Sequence, residues 1–127
     1  MGEERKRPGA AVRWFVWLAY AAAWTQALLM RNPIPSDILQ QHPLPFFLFA
    51  KSVHVCAYAL FAVLTGWLLL PLRWRCLLLA ALGLHGAATE YLQHFVAGRN
   101  PSLRDVGLDL LGLVLGVALT WRLWRDG

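Results

Sequence analysis

Four apolar blocks, each close to twenty residues long, fill most of this chain. They run over about 14–30, 46–72, 77–97 and 106–123. A helix needs about 20 apolar residues to cross the roughly 30 Å hydrocarbon layer of a bilayer. Only helices or closed barrels satisfy their backbone polar groups inside lipid, and these blocks lack the alternation of barrel strands. The pattern predicts an all-α fold: one domain over 1–127, a polytopic bundle of four transmembrane helices. Composition agrees, with 58% hydrophobic and only 15% charged residues, against about 25% charged in an average soluble domain. That balance excludes a disordered chain, a solenoid and a disulfide scaffold. The net charge of +5 does not indicate nucleic acid, because the basic residues sit between apolar blocks and form no single patch. The two cysteines, Cys56 and Cys76, are expected to be buried, inert thiols.

The first block follows Arg5, Lys6 and Arg7. It is longer than the apolar core of a signal peptide and rich in Trp, so it is expected to be a retained helix. Orientation follows from loop charge. Arg5, Lys6, Arg7, Arg13, Arg73, Arg75, Arg122 and Arg125 fall on one side; Lys51, Arg31, Arg99 and Arg104 fall on the other. Eight against four predicts cytoplasmic N- and C-termini. Trp14, Trp17, Trp74, Trp121 and Trp124 gather at the same ends, as an interfacial aromatic belt does. The chain is therefore expected to be a multi-pass protein of the plasma membrane. The outer loop 31–45 carries Pro33, Pro35, Pro43 and Pro45, which should keep it irregular apart from one turn capped by Ser36-Asp37.

With that topology the polar residues share one depth. Lys51, His54 and Tyr58 are spaced i, i+3, i+7, on one helix face. Glu90 stands one turn before Gln93 and His94, and Arg99 and Asn100 follow in a tight loop. Arg104 and Asp105 open the fourth block, with Asp109 one turn deeper. All lie in the outer third of the bilayer, while His85 lies near its middle as a hydrogen-bonded core histidine. Charge deep in lipid costs several kcal/mol unless paired or hydrated, so these groups are expected to line an outward-facing polar cavity. The blander alternative is that they only lock helix packing, through pairs such as Lys51 with Glu90 or Asp109, and Arg99 with Asp105.

An anionic headgroup suits the cavity. Lys51, Arg99 and Arg104 would face phosphate, and the start of the fourth helix would add its positive dipole end. His54, Tyr58, Glu90, Gln93, Ser102, Asp105 and Asp109 would complete the lining, with Ser102 capping the fourth helix in an S-x-x-D signal. Catalysis is a weaker reading, with His54 or Glu90 as the acid–base group. His54, Glu90, His94 and Asp109 are metal-ligand types, but no HExxH or paired CxxC accompanies them, and no P-loop or Rossmann glycine pattern is present, so neither metal nor cofactor is expected. Gly112 and Gly116 form a GxxxG, an internal contact or a homodimer face.

Lys51-Ser-Val-His54-Val-Cys-Ala-Tyr58 resembles the K-x-x-H-x-x-x-Y signature of VanZ-like membrane proteins. Glu90-Tyr-Leu-Gln93, Gly98-Arg99, Ser102, Asp105 and Asp109-Leu-Leu-Gly112 resemble that family's second block, E-x-x-Q…GR-x-x-S-x-x-D…N-x-x-G. The likeness covers about 34–116, and Asp109 stands where many relatives have Asn. It implies a small polytopic protein of the bacterial envelope, in a family linked to glycopeptide (teicoplanin) resistance. The expected partners are membrane lipids, or a lipid-linked cell-wall precursor held in the cavity. The alternatives are an intramembrane enzyme modifying a phospholipid or polyprenyl-linked substrate, and a structural membrane protein.

Overall fold

The computed structural model describes residues 9–30, 34–97, 99 and 102–125. The expectations placed on Arg5, Lys6, Arg7, Arg31, Pro33, Gly98 and Asn100 lie outside the described residues. Among the described residues every regular element is helical: α1 (Ala10–Leu29), α2 (Ser36–Gln41), α3 (Pro43–Trp67), α4 (Leu72–Leu92), α5 (Leu103–Leu119) and α6 (Trp121–Arg125). One 3-10 turn, Gln93–Phe95, follows α4.

The helix boundaries move from those expected, for identifiable reasons. Pro43 and Pro45 do not keep the loop irregular but open α3, because a first helical turn has no use for the missing N–H. The short turn forms as α2, yet Pro35 and not Ser36 is its N-cap, with no side-chain cap bond. α3 stops at Leu68, which is extended, and Pro71 starts α4. Arg73 and Arg75 are therefore helical and not loop residues. The fourth block breaks at Thr120, whose hydroxyl donates to the Gly116 carbonyl at 2.6 Å. Such back-bonding competes with the regular ladder, and α6 continues as a separate turn.

Contacts fix the topology. The first turn of α1 meets the last of α3, where the Arg13 guanidinium donates to the Trp67 carbonyl at 2.6 Å. Arg75 donates to the Leu123 carbonyl at 2.7 Å, so α4 starts and α6 lies at that same basal end. At the opposite end Gln93 donates to the Leu28 carbonyl at 2.8 Å, and Lys51 pairs with Asp105. α1 and α4 thus run one way, α3 and α5 the other, and the start of α1 and the whole of α6 lie at one end.

α3 and α5 form a close parallel pair. A Cβ on Gly112 would strike the Val55 carbonyl oxygen and come within 3.0 Å of Tyr58 Cβ. One on Gly116 would strike the Ala59 carbonyl oxygen and come within 2.7 Å of Ala62 Cβ. Small residues at this spacing let two helix backbones touch. The two glycines are covered by α3 within the chain, which gives them the internal role and not that of a homodimer face. α4 closes on α5 in the same way, since a Cβ on Gly86 would lie 2.9 Å from Asp109 Oδ2.

The interior is unusually polar. Beside Tyr58, Phe61, Ala62, Leu82 and Leu113, the buried set includes Arg13, Thr65, Arg75, Thr89, Glu90, Gln93, Asp105 and Asp109. Large apolar residues face outward instead, with Phe15 72%, Leu84 73% and Leu103 89% exposed. Cys56 and Cys76 are also exposed and free, not buried as expected. Among the described residues one helix, α3, is long and apolar enough to cross a membrane by length and composition. α5 is short at 17 residues, with Arg104, Asp105 and Asp109 in its first turns, and α1 and α4 carry Arg13, Arg73, Arg75 and Glu90.

Filling the glycine contact should open the α3–α5 pair. Gly112→Leu or Gly116→Leu should destabilise the purified protein by about 1–3 kcal/mol or more. Gly107→Ala, at a site with open space around it inside α5, should not lower the melting temperature, since Ala is favoured over Gly within a helix. Equal melting curves for all three would contradict this packing.

Candidate functional site

The parallel register of α3 and α5 sets the upper cluster. Phe47, Lys51, His54 and Tyr58 recur every three or four residues along α3, and those spacings keep them on one face. Lys51 forms an ion pair with Asp105, and one turn deeper His54 Nδ1 donates to Asp109 Oδ1 at 2.8 Å. The partners are 54 and 55 residues apart in the chain, so one helical register makes both pairs. Asp109 is 1% exposed. An unpaired carboxylate at that depth would carry a penalty of several kcal/mol. The pairings Lys51 with Glu90 or Asp109, and Arg99 with Asp105, do not form.

Glu90 and Ser102 take a different arrangement from the expected capping box. The Ser102 hydroxyl makes no cap bond, and Asp105 turns to Lys51. The Ser102 backbone N–H donates instead to the Glu90 carboxylate, which reaches across from the end of α4. The first N–H groups of a helix lack intrahelical acceptors and attract negative charge. Glu90 therefore occupies the place at the start of α5 where the sequence put a ligand phosphate. Its carboxylate also lies within electrostatic reach of His54, Asp105 and Asp109.

Gln93 and Arg99 are likewise committed to helix ends. The last carbonyls of α1 lack donors of their own. Gln93 serves Leu28, while Arg99 serves Met30 at 2.8 Å through Nε and Ala27 at 2.7 Å through Nη2. Cations suit a helix C-terminus. Partial burial lowers the Arg99 pKa from its ordinary value, though a guanidinium stays protonated in proteins. Arg99 thus closes α1 and does not face a phosphate. Arg104 is exposed, its guanidinium 6.0 Å from the Phe47 ring centre, and Lys51 Nζ lies 5.1 Å from the same ring. His94, which the sequence grouped with Glu90, sits on the exterior against Tyr91.

Below the ion pairs lies a hydrogen-bonded chain. The Thr25 hydroxyl donates to the Ala21 carbonyl at 2.7 Å, which uses its only proton. His85 Nε2, 2.8 Å from that oxygen, must then be the donor. In the neutral ring Nδ1 is left to accept from the Tyr58 hydroxyl at 3.0 Å. His85 thus joins α1, α3 and α4 as the core histidine expected. Trp24 stands edge-on to both His54 and Tyr58, at 5.7 and 6.2 Å.

At the basal end Arg13 and Arg75 close α3 as Arg99 closes α1. Arg75, 1% exposed, donates to Gly66 at 3.3 Å and to Leu123 at 2.7 Å through Nη1, with the Trp124 ring 5.4 Å away. Sequence reasoning counted Arg75 only as loop charge and gave Thr25 no role. Both act through backbone carbonyls or a partner on another helix, which linear spacing does not reveal. Among the described residues no group of three or more His, Cys, Asp or Glu side chains is placed to hold a metal ion.

Comparison of the chain with protein families, with curated proteins and with solved structures finds no match.

The division of labour among the cations can be measured. Arg99→Ala leaves carbonyls of α1 without donors and should lower stability by about 1–3 kcal/mol, whereas Arg104→Ala should fall within about 0.5 kcal/mol of the parent. Thermal unfolding of the purified protein separates the two; equal losses would contradict the assignment.

Proposed function

We propose that the chain is a four-span protein of the bacterial plasma membrane, with N- and C-termini in the cytoplasm, that engages an anionic lipid headgroup or a lipid-linked cell-wall precursor at its outward end. Two observations support the membrane reading beyond α3 alone. Large apolar side chains face outward on α1, α3, α4 and α5 while Arg13, Arg75, Glu90, Asp105 and Asp109 are buried, the reverse of a water-soluble pattern. The described basic residues Arg13, Arg73, Arg75, Arg122 and Arg125, with Trp74, Trp121 and Trp124, gather at the basal end, which the positive-inside rule assigns to the cytoplasm.

The observation that carries the binding reading is the rim formed by Lys51, Phe47 and Arg104. Two cations flank one aromatic ring at the mouth of the bundle. Lys51 shares one ion pair and has donors to spare, and Arg104 forms no ion pair among the described residues. Phosphate contact therefore falls to Lys51 and Arg104 alone, since Arg99 and the start of α5 are occupied from within. The wall-precursor identity and the link to teicoplanin susceptibility come from the VanZ-like resemblance. A specific observation favours catalysis as the second reading. His54 is held through Nδ1 by the buried Asp109 carboxylate, and its Nε2 makes no hydrogen bond among the described residues. That arrangement orients a histidine to accept a proton from an attacking hydroxyl or water.

Purified protein in nanodiscs tests both readings. Lys51→Ala and Arg104→Ala should each weaken phosphatidylglycerol binding about tenfold, equivalent to about 1.4 kcal/mol; unchanged affinity in both would overturn the rim. Binding with intact headgroups after incubation supports the first reading, and headgroup release lost in His54→Ala supports the second.

A further inference from the structure

The lower half of the bundle carries a second feature that the upper cluster does not explain. A groove of about 660 Å³ runs between α4 and α5, lined by Leu79, Leu110, Val114 and Val117 and ending at Ala118 and Trp121. Its lining is almost wholly apolar. A smaller hollow of about 420 Å³ sits at the corner between α5 and α6, lined by Thr120, Arg122 and Arg125, and also by Ala118 and Trp121. The two adjoin at Ala118 and Trp121, the first apolar along its length and the second bordered by arginines.

The corner is structural. α5 ends where Thr120 bonds back to Gly116, and α6 turns away. α6 is pinned across the end of the bundle by Trp124, which is buried against Gly66 and beside Arg75. A Cβ on Gly66 would lie 2.6 Å from Trp124 Nε1, so Trp124 fills that notch fully. Held there, α6 presents Arg122 on the exposed side, and Arg122 is in neither of the ion pairs among the described residues. From Leu110 to Ala118 the groove follows α5 for about 12 Å at 1.5 Å per residue. One leaflet contributes about 15 Å of the hydrocarbon layer.

We infer that the groove and the adjoining hollow form a seat for one anionic phospholipid of the leaflet at the basal end, its acyl chain along the α4–α5 groove and its phosphate against Arg122 and Arg125 below Trp121. A guanidinium meets phosphate oxygens bidentately, and an indole belongs at the level of the headgroup. A zwitterionic lipid would place its own cation among these arginines and gain less. This site is separate from the rim of Lys51 and Arg104, lying at the other end of the bundle, and it rests on the membrane reading but not on the rim.

The test uses the full-length protein, delipidated in detergent and titrated with phosphatidylglycerol, phosphatidylcholine of the same acyl chains, or oleate, with adducts counted by native mass spectrometry. The variants are Arg122→Gln, Arg122→Gln with Arg125→Gln, Val114→Trp to fill the groove, and Arg104→Ala at the far rim. Val114 is exposed, so its replacement leaves the core intact, and melting curves confirm each fold. Phosphatidylglycerol should be retained over phosphatidylcholine. One adduct should fall at least fivefold in the double arginine variant and in Val114→Trp, and persist in Arg104→Ala. Adducts that persist in the groove variants and vanish in Arg104→Ala would overturn the inference while leaving the rim standing. Loss in the groove variants together with persistence in Arg104→Ala would support it. Equal retention of phosphatidylcholine, or oleate in place of phospholipid, would also overturn it.

Discussion

The close parallel packing of α3 on α5 is the contact on which the rest of this structure depends. It exists because Gly112 and Gly116 remove the side chains that would hold the helices apart from Val55, Tyr58, Ala59 and Ala62. Once the backbones touch, the register is set along the whole length. Asp105 meets Lys51, and Asp109 meets His54. At the far end α6 brings Trp124 onto Gly66. A slip of one residue would rotate each α5 carboxylate by about 100°, away from its partner and into apolar surroundings. The buried charges make that slip costly, and so specify the alignment that the small residues permit.

A second rule runs through the bundle: charged and amide side chains of one helix complete the backbone ends of another. Glu90 of α4 accepts from the start of α5. Gln93 and Arg99 serve the end of α1, and Arg13 and Arg75 the end of α3. The last carbonyls and first N–H groups of a helix have no internal partners, and an apolar environment makes leaving them bare more expensive. Polar residues that read as a binding cavity in the sequence are thus partly committed to holding the fold. What remains uncommitted is narrower than the whole set: Arg104 and the spare donors of Lys51 at the rim, and the Nε2 side of His54.

Much of this was legible in the sequence, for identifiable reasons. The apolar blocks disclosed four long helices, and the i, i+3, i+7 spacing disclosed the shared face of Lys51, His54 and Tyr58. The gathering of these with Glu90, Asp105 and Asp109 was also foreseeable, because each sits at the matching end of its block. The partner of each charge was not, since the choice between Asp105 and Asp109 for Lys51 depends on the offset between α3 and α5. The roles of Arg99, Arg75 and Glu90 were hidden because their partners are backbone groups, which every residue has and no motif marks. Pro43 and Pro45 misled for a local reason: a proline forbids a helix behind it but not in front of it. The seat at the α5–α6 corner was out of sight because it depends on the break at Thr120.

The most direct test of the α3–α5 register is charge reversal across its outermost pair, read as thermal unfolding of the purified protein in detergent. Lys51→Asp or Asp105→Lys alone places two like charges together in a half-buried site and should lower the melting temperature sharply. The two combined should recover most of the loss, because a real pair shows coupling and unrelated sites merely add. A double variant no more stable than the sum of the two single losses would contradict the register, and with it the account of the site.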